Sequence, residues 1–192
     1  MKKKPLILIG AGGHAKSCID VIENDEKYYI FGVIDNTKKK EFMGYKILGN
    51  DTKLENYIKK IKNVIIGVGQ IKNYKKRLSL FKKCKNLGFK LPVIISNKSY
   101  VSKRSTIDEG TFIFHNVVVN SSVKIGKNCI INSSALIEHD VEIGNNCHIS
   151  TGCILNGSVK VGQNSFIGSK SVISNDVKIK PNSFIKLGSK VY

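Results

Sequence analysis

The chain has little of what several protein classes require. It carries no tryptophan, 8% aromatics and only two arginines, Arg77 and Arg104, among 32 basic residues. Only 14 acidic residues offset that basic excess, leaving a formal net charge of +18 over 192 residues. Nucleic-acid readers use arginine for bidentate contacts and interleave aromatics for stacking. Neither habit is present, so the charge suits small anionic ligands such as phosphates and no nucleic-acid partner is expected. Five cysteines without a C-x-x-C pair give neither a disulfide framework nor a zinc finger, and reduced thiols are expected. The longest apolar run near the start, Pro5 to Ile9, is too short for a signal-peptide core or a membrane span. That predicts a cytoplasmic protein with no membrane span. With 41% apolar residues the composition is still that of a folded chain.

What is present in abundance is a period. Every sixth residue from Val101 to Val191 is Val, Ile or Leu, without a miss. Four places after each of the first fifteen sits a small residue, among them Ser105, Thr111, Cys129, Ala135, Cys147, Cys153 and Ser171, and the residue before it is usually Asn, Gly, Asp or Ser. A period of six fits neither a helix nor a long alternating strand. It fits short strands joined by tight corners, with one large and one small residue per six pointing inward and turn formers accepting positive φ at the corner. Stacked coils then bury one another's interiors. Cys129, Cys147 and Cys153 fall at interior small positions and read as packing residues.

The first hundred residues alternate strand and helix signals, which implies a small parallel α/β unit. KPLILIG (Lys4 to Gly10) reads as a strand, followed by the glycine turn Gly10-Ala11-Gly12-Gly13-His14-Ala15 and a helix from about Lys16 to Glu23. Tyr29 to Ile34 and Val64 to Gly67 read as further strands, and Asp51 or Thr52 as the cap of a helix through Lys60. A helix over Asn73 to Leu87, stopped by Gly88, and a fourth strand over Phe89 to Ile95 complete the unit. The turn frees backbone N–H groups for a phosphate, and Asp35 lies 25 residues after Gly10, where a ribose-binding acid falls. A tight structural turn explains the same glycines. Too little chain precedes the repeat for a dehydrogenase with both mononucleotide halves, so a site for one nucleotide is the better fit.

The repeat resembles the hexapeptide-repeat acyltransferases, and the resemblance implies a left-handed parallel β-helix with three hexads per coil, although the general crossover rule favours the right hand. The two halves together resemble the PglD/NeuD-type sugar acyltransferases. The likeness rests on GAGGHA (Gly10 to Ala15), VIDN (Val33 to Asn36), IGVGQ (Ile66 to Gln70), NSSALIEHD (Asn132 to Asp140), CHIS (Cys147 to Ser150) and LNG (Leu155 to Gly157). It implies a Rossmann-like nucleotide-sugar domain over 1–97 and a left-handed β-helix over 98–192. It further implies a homotrimer with sites between neighbouring helices, acetyl-CoA as co-substrate, and no metal.

Acyl transfer from a thioester needs a base for the acceptor's proton and a donor for the oxyanion. His139 faces outward at the third place of its hexad, with Asp140 or Glu138 placed to orient the ring, and Asp140 is taken as the orienter. The resemblance makes it the base. Gly157 lies eighteen residues on, one coil along the same corner column, and the resemblance gives its N–H to the oxyanion. By the same likeness Asn132 and His148 approach the acyl donor, His14 reaches the acceptor sugar, and Gly10, Gly12, Gly13, Asp35, Asn36 and Gly69 surround the nucleotide. A histidine after the glycines is associated with the amino-sugar branch of the family. The expected activity is therefore N-acetylation of a nucleotide-linked amino sugar, a UDP-4-amino-4,6-dideoxy sugar. The alternatives are O-acetylation of a sialic-acid-like sugar and a β-helix scaffold that binds a nucleotide sugar without turnover. The chain lacks the G-x-P-A or G-T-P tail that borders the CoA site in many members, which leaves Lys170, Lys178, Lys180, Lys186 and Lys190 as candidates for the CoA phosphates.

Overall fold

The computed structural model describes residues 2–192. They divide into two compact units: residues up to Gly69 together with Lys75–Pro92, and Val93–Tyr192 together with Gln70–Tyr74.

The first unit is built on a five-stranded sheet. β1 (Lys4–Ile9) is an interior strand, paired in parallel with β2 (Tyr28–Ile34) and with the edge strand Asn63–Ile66. A hairpin of β3 (Glu41–Phe42) and β4 (Tyr45–Gly49) extends the edge beyond β2, with β4 parallel to it; the Asn63–Ile66 strand is β5. β1 is buried from Leu6 to Ile9 because apolar side chains occupy both of its faces, as a central parallel strand requires. α1 (Gly13–Glu23) buries Ala15, Cys18, Ile19, Val21 and Ile22, the spacing of one helical face. α2 (Lys75–Asn86) ends where Gly88 takes φ +83° and the Phe89 N–H reaches back to the Cys84 carbonyl, a glycine C-cap.

Three expectations for this unit need correction. Residues 51–60 form only a 3-10 helix, Asp51–Asn56, capped by the Asn50 side chain, which accepts from Thr52 N. Phe89 to Ile95 is not a strand of this sheet: a single bridge joins Lys90 to Asn63, Pro92 then removes a ladder donor, and Ile94–Ile95 pairs with Phe112–Ile113 in the second unit. The β3–β4 hairpin falls in a stretch where no element was expected.

The second unit is a left-handed parallel β-helix of seventeen two-residue strands that pair at an 18-residue interval. One face runs from Ile94–Ile95 to Phe184–Ile185, the next from Tyr100–Val101 to Lys190–Val191, and the third from Thr106–Ile107 to Lys178–Ile179. The every-sixth aliphatics from Ile113 to Ile179 are buried in one cluster with Val117, Cys129, Ala135, Cys147 and Cys153, each large residue contributing roughly 1.5–3 kcal/mol. The small positions do more than save space. Thr111 Oγ1 donates to Gly126 O at 2.8 Å, Cys153 Sγ to Gly168 O at 3.0 Å and Ser171 Oγ to Lys186 O at 2.9 Å, so hydroxyl and thiol groups satisfy corner carbonyls of the next coil.

The residues before the small positions take the left-handed conformation as expected, from Gly110 and Asn116 through Asp140 to Gly188. Lys170 does the same at φ +60°, although lysine is not a turn former. At one corner a side-chain ladder runs Asn128 to Asn146 to Asn164 to Asn182, each Nδ2 donating to the next Oδ1 at 3.0–3.1 Å. It ties successive coils together outside the strands.

Candidate active site

The corner after the second face stacks His139, Gly157 and Asn175 at intervals of eighteen. His139 Nδ1 is 2.9 Å from Asp140 Oδ2. A neutral imidazole therefore donates from Nδ1 and leaves the Nε2 lone pair open, the arrangement a general base needs. Asp140 reaches the ring because it is itself the corner residue, at φ +62°. Glu138 is engaged elsewhere, accepting from Asn120 Nδ2 at 2.8 Å, so of the two carboxylates expected as orienter Asp140 is the one in place.

The ring lies over Gly157. A Cβ on that residue would stand 2.6 Å from His139 Cε1 and 2.8 Å from Nε2, so only glycine leaves room for it. The Gly157 carbonyl accepts from Asp176 N, while its own N–H has no acceptor among the described residues. An open base nitrogen beside an unengaged amide is what attack on a carbonyl requires. Asn175 places its Nδ2 3.2 Å from that same Cβ position. Sequence reasoning missed it, although the interval of eighteen that leads from His139 to Gly157 leads on to Asn175.

Asn132 and His148 sit on other parts of the β-helix. His148 lies on the first face and Asn132 at the corner between the first and second faces, so the second face separates them from His139. His148 is buried, with its ring edge-on to Phe166. Its Nδ1 donates to the Gln70 carbonyl and its Nε2 faces Asn132 Nδ2 at 3.5 Å, while Gln70 Nε2 donates to Asn146 O at 2.5 Å. Gln70 is far from both in sequence, and no local signal gives this contact. His115 bonds Ser96 Oγ through Nδ1 at 2.7 Å. Among the described residues no three His, Cys, Asp or Glu side chains gather as a metal site would.

In the first unit a cavity of about 150 Å³ opens at the carboxyl ends of the parallel strands, lined by Gly10, Asp35, Asn36, Asp51, Val68 and Lys76 among others. That is where α/β sheets bind ligands. Asp35 accepts from Ala11 N and Thr37 N, both at 2.8 Å, and so ties the glycine turn to the end of β2. Gly10 takes φ +111° and abuts Val68; Gly69 backs onto His14. Gly12 and Gly13 are different. Their φ values are not left-handed, and a Cβ on either would meet nothing within 4 Å. Both lie in open space at the N-terminus of α1, where Gly12 is the N-cap.

Residues 5–84 match the PglD N-terminal domain family and residues 93–191 the GMPPB C-terminal domain family. Among solved structures the chain is similar to PerB from Caulobacter crescentus in complex with CoA and GDP-perosamine, with 25% identity over 98% of this chain and 88% of that one and a TM-score of 0.91. It is also similar to the acetyltransferase domain of PglB from Neisseria gonorrhoeae in complex with acetyl coenzyme A, with 25% identity, 99% and 93% coverage and a TM-score of 0.90. WeeI from Acinetobacter baumannii, at 18% identity, 98% and 96% coverage and a TM-score of 0.63, shares the fold. The chain belongs to the PglD/NeuD-type sugar acyltransferase family.

Proposed function

We propose that the protein is an acetyl-CoA-dependent N-acetyltransferase acting on a nucleotide-linked amino sugar. The observation that carries this reading is the His139 imidazole, held by Asp140 through Nδ1, with Nε2 open beside the Gly157 amide. Support comes from PerB, whose structure holds CoA and GDP-perosamine, and from the PglB domain, whose structure holds acetyl coenzyme A. Residues 1–97 take the nucleotide end and 98–192 carry the acyl transfer. In the reaction the acceptor nitrogen attacks the thioester carbonyl carbon and loses a proton to His139 Nε2. The Gly157 N–H donates to the oxyanion. As the tetrahedral intermediate collapses, the C–S bond breaks and the CoA sulfur takes the proton back from the imidazolium, giving an acetamide and free CoA.

The separation of Asn132 and His148 from His139 by one face supports a homotrimer. The outer side of that face carries Val118, Leu136, Ile154 and Val172, half-buried in the single chain, whereas the third face carries Lys124, Glu142, Lys160 and Lys178. Packing the apolar face about a threefold axis sets the His139 edge of one copy beside the Asn132 edge of the next. Light scattering giving one or two copies per particle overturns this assembly.

The enzymatic test is CoA-thiol release from acetyl-CoA with a panel of UDP- and GDP-linked amino sugars, set against free and CMP-linked nonulosonates. Turnover of a nucleotide amino sugar that drops at least about 10²-fold in His139→Ala, with acetyl-CoA binding retained, is expected. Turnover of nonulosonates alone favours O-acetylation, and binding without turnover of any acceptor favours the scaffold.

A further inference from the structure

The segment that closes the first unit's cavity on the β5 side is Gly67-Val68-Gly69. Two glycines flank Val68, the residue of this segment that lines the cavity, so the sequence itself gives this wall no stiffness. What holds it is a buried cation. Arg77, on α2, has no solvent exposure, and its Nη1 donates to the carbonyls of Ile66 at 2.6 Å and Val68 at 2.9 Å. Carbonyls at alternate residues of an extended segment point the same way, so one guanidinium holds both. The Gly67 N–H is bonded to Ile9 O at 2.8 Å, which pins the segment from the β1 side as well. Val68 is thereby set against Gly10, its Cγ2 3.0 Å from where a Cβ on Gly10 would stand. Lys76, next to Arg77 in sequence, lines the same cavity, as do Asp35 and Asn36.

We infer that Arg77 is a positioning residue for nucleotide binding: its guanidinium, bonded to the Ile66 and Val68 carbonyls, holds the glycine-flanked wall of the cavity in its binding-competent shape. The buried positive charge at the carboxyl end of the sheet also favours an anionic ligand there. Lysine donates to carbonyls from a single ammonium without the planar fork and replaces this only in part. Methionine keeps much of the volume and donates nothing.

The inference rests on the nucleotide-sugar reading, so its test includes a readout that does not need turnover. Binding of UDP, GDP and acetyl-CoA is measured by calorimetry on the full chain for the parent, Arg77→Met and Arg77→Lys, alongside KM and kcat for whichever nucleotide amino sugar is turned over. Arg77→Met is expected to weaken the nucleotide that the parent binds by roughly tenfold, the factor for ordering about one backbone residue on binding. Arg77→Lys is expected to fall between the two, with acetyl-CoA binding unchanged. Amide exchange is expected to quicken at residues 67–69 and not along β1. If Arg77→Met does not fold, Arg77→Lys decides. Nucleotide binding unchanged in the folded variants, or weakened in parallel with acetyl-CoA, overturns the inference. A parent that binds a nucleotide yet acetylates none of the panel overturns the functional reading alone; one that binds neither UDP nor GDP overturns both.

Discussion

Gly157→Ala adds one methyl group where the His139 ring lies. At 2.6 Å from Cε1, against about 3.5 Å for an ordinary carbon contact, the new Cβ forces a withdrawal of about 1 Å. The backbone is poorly placed to supply it, since Gly157 O accepts from Asp176 N and Ser158 N donates to His139 O, both at 3.0 Å. The imidazole is the soft partner, with its side chain 59% exposed, so it swings toward solvent at little cost in stability. Alanine keeps the amide N–H, which separates ring displacement from loss of the oxyanion donor. A 1 Å misplacement of a reacting group costs on the order of 10²-fold, or about 2.7 kcal/mol of barrier. Steady-state thiol release should therefore show kcat down about 10²-fold, with KM for acetyl-CoA within about threefold and Tm lowered by less than about 4 °C. A kcat within about threefold of the parent in a normally folded variant refutes the placement of His139 as base over Gly157.

Asp140→Asn keeps a residue that tolerates the +62° φ of that corner but removes the charge facing the imidazolium. Steady-state assay should show kcat lower by at least about tenfold with unchanged thermal stability. Gly12→Val enters open space in the chain itself, so it should leave folding and acetyl-CoA affinity intact and weaken nucleotide-sugar binding by roughly tenfold or more, as read by calorimetry. Burial pushes the Cys18 and Cys84 thiols up to about 12 from an ordinary 9.0, and Cys153 is raised by the same cause. Contact with Cys129 and burial raise Cys147 further. All five cysteines are buried, so an aromatic disulfide reagent at neutral pH should titrate none in the native protein and five after unfolding. Because the Cys18 and Cys84 thiols stay neutral in the folded state and ionise in the unfolded one, the stabilisation they give is complete below pH 9 and erodes between 9 and 12. Thermal unfolding across that window measures the erosion.

The β-helix was legible because its interior is written in one dimension: each coil buries the same positions, so the period survives without knowledge of any long-range partner. Lys170 shows the limit, since a neighbouring corner already fixes the local turn and the stacked coil holds even a lysine at positive φ. The first unit was less legible. Pro92 and the polar run after Asp35 hide how a strand ends and a hairpin begins, and the stretch expected as a helix through Lys60 forms only the 3-10 helix Asp51–Asn56. At the site, the interval of eighteen brings His139 to Gly157 and Asp140 is readable as the ring's neighbour, whereas the turning of Glu138 to Asn120 has no sequence signal. Arg77 could not be read from a lysine-rich helix, because its importance lies in two carbonyls that carry no side-chain signature.

The column His139, Gly157, Asn175 has a consequence for how such a scaffold can change length. Adding or removing a whole turn of the spiral beyond Asn175 lengthens or shortens the prism while every member of the column keeps its neighbours. A single stray hexad between His139 and Gly157 would instead rotate the glycine onto another edge and leave the imidazole facing an unrelated corner. Growth in this architecture is therefore counted in threes of hexads, and the chemistry is indifferent to how many storeys stand above it.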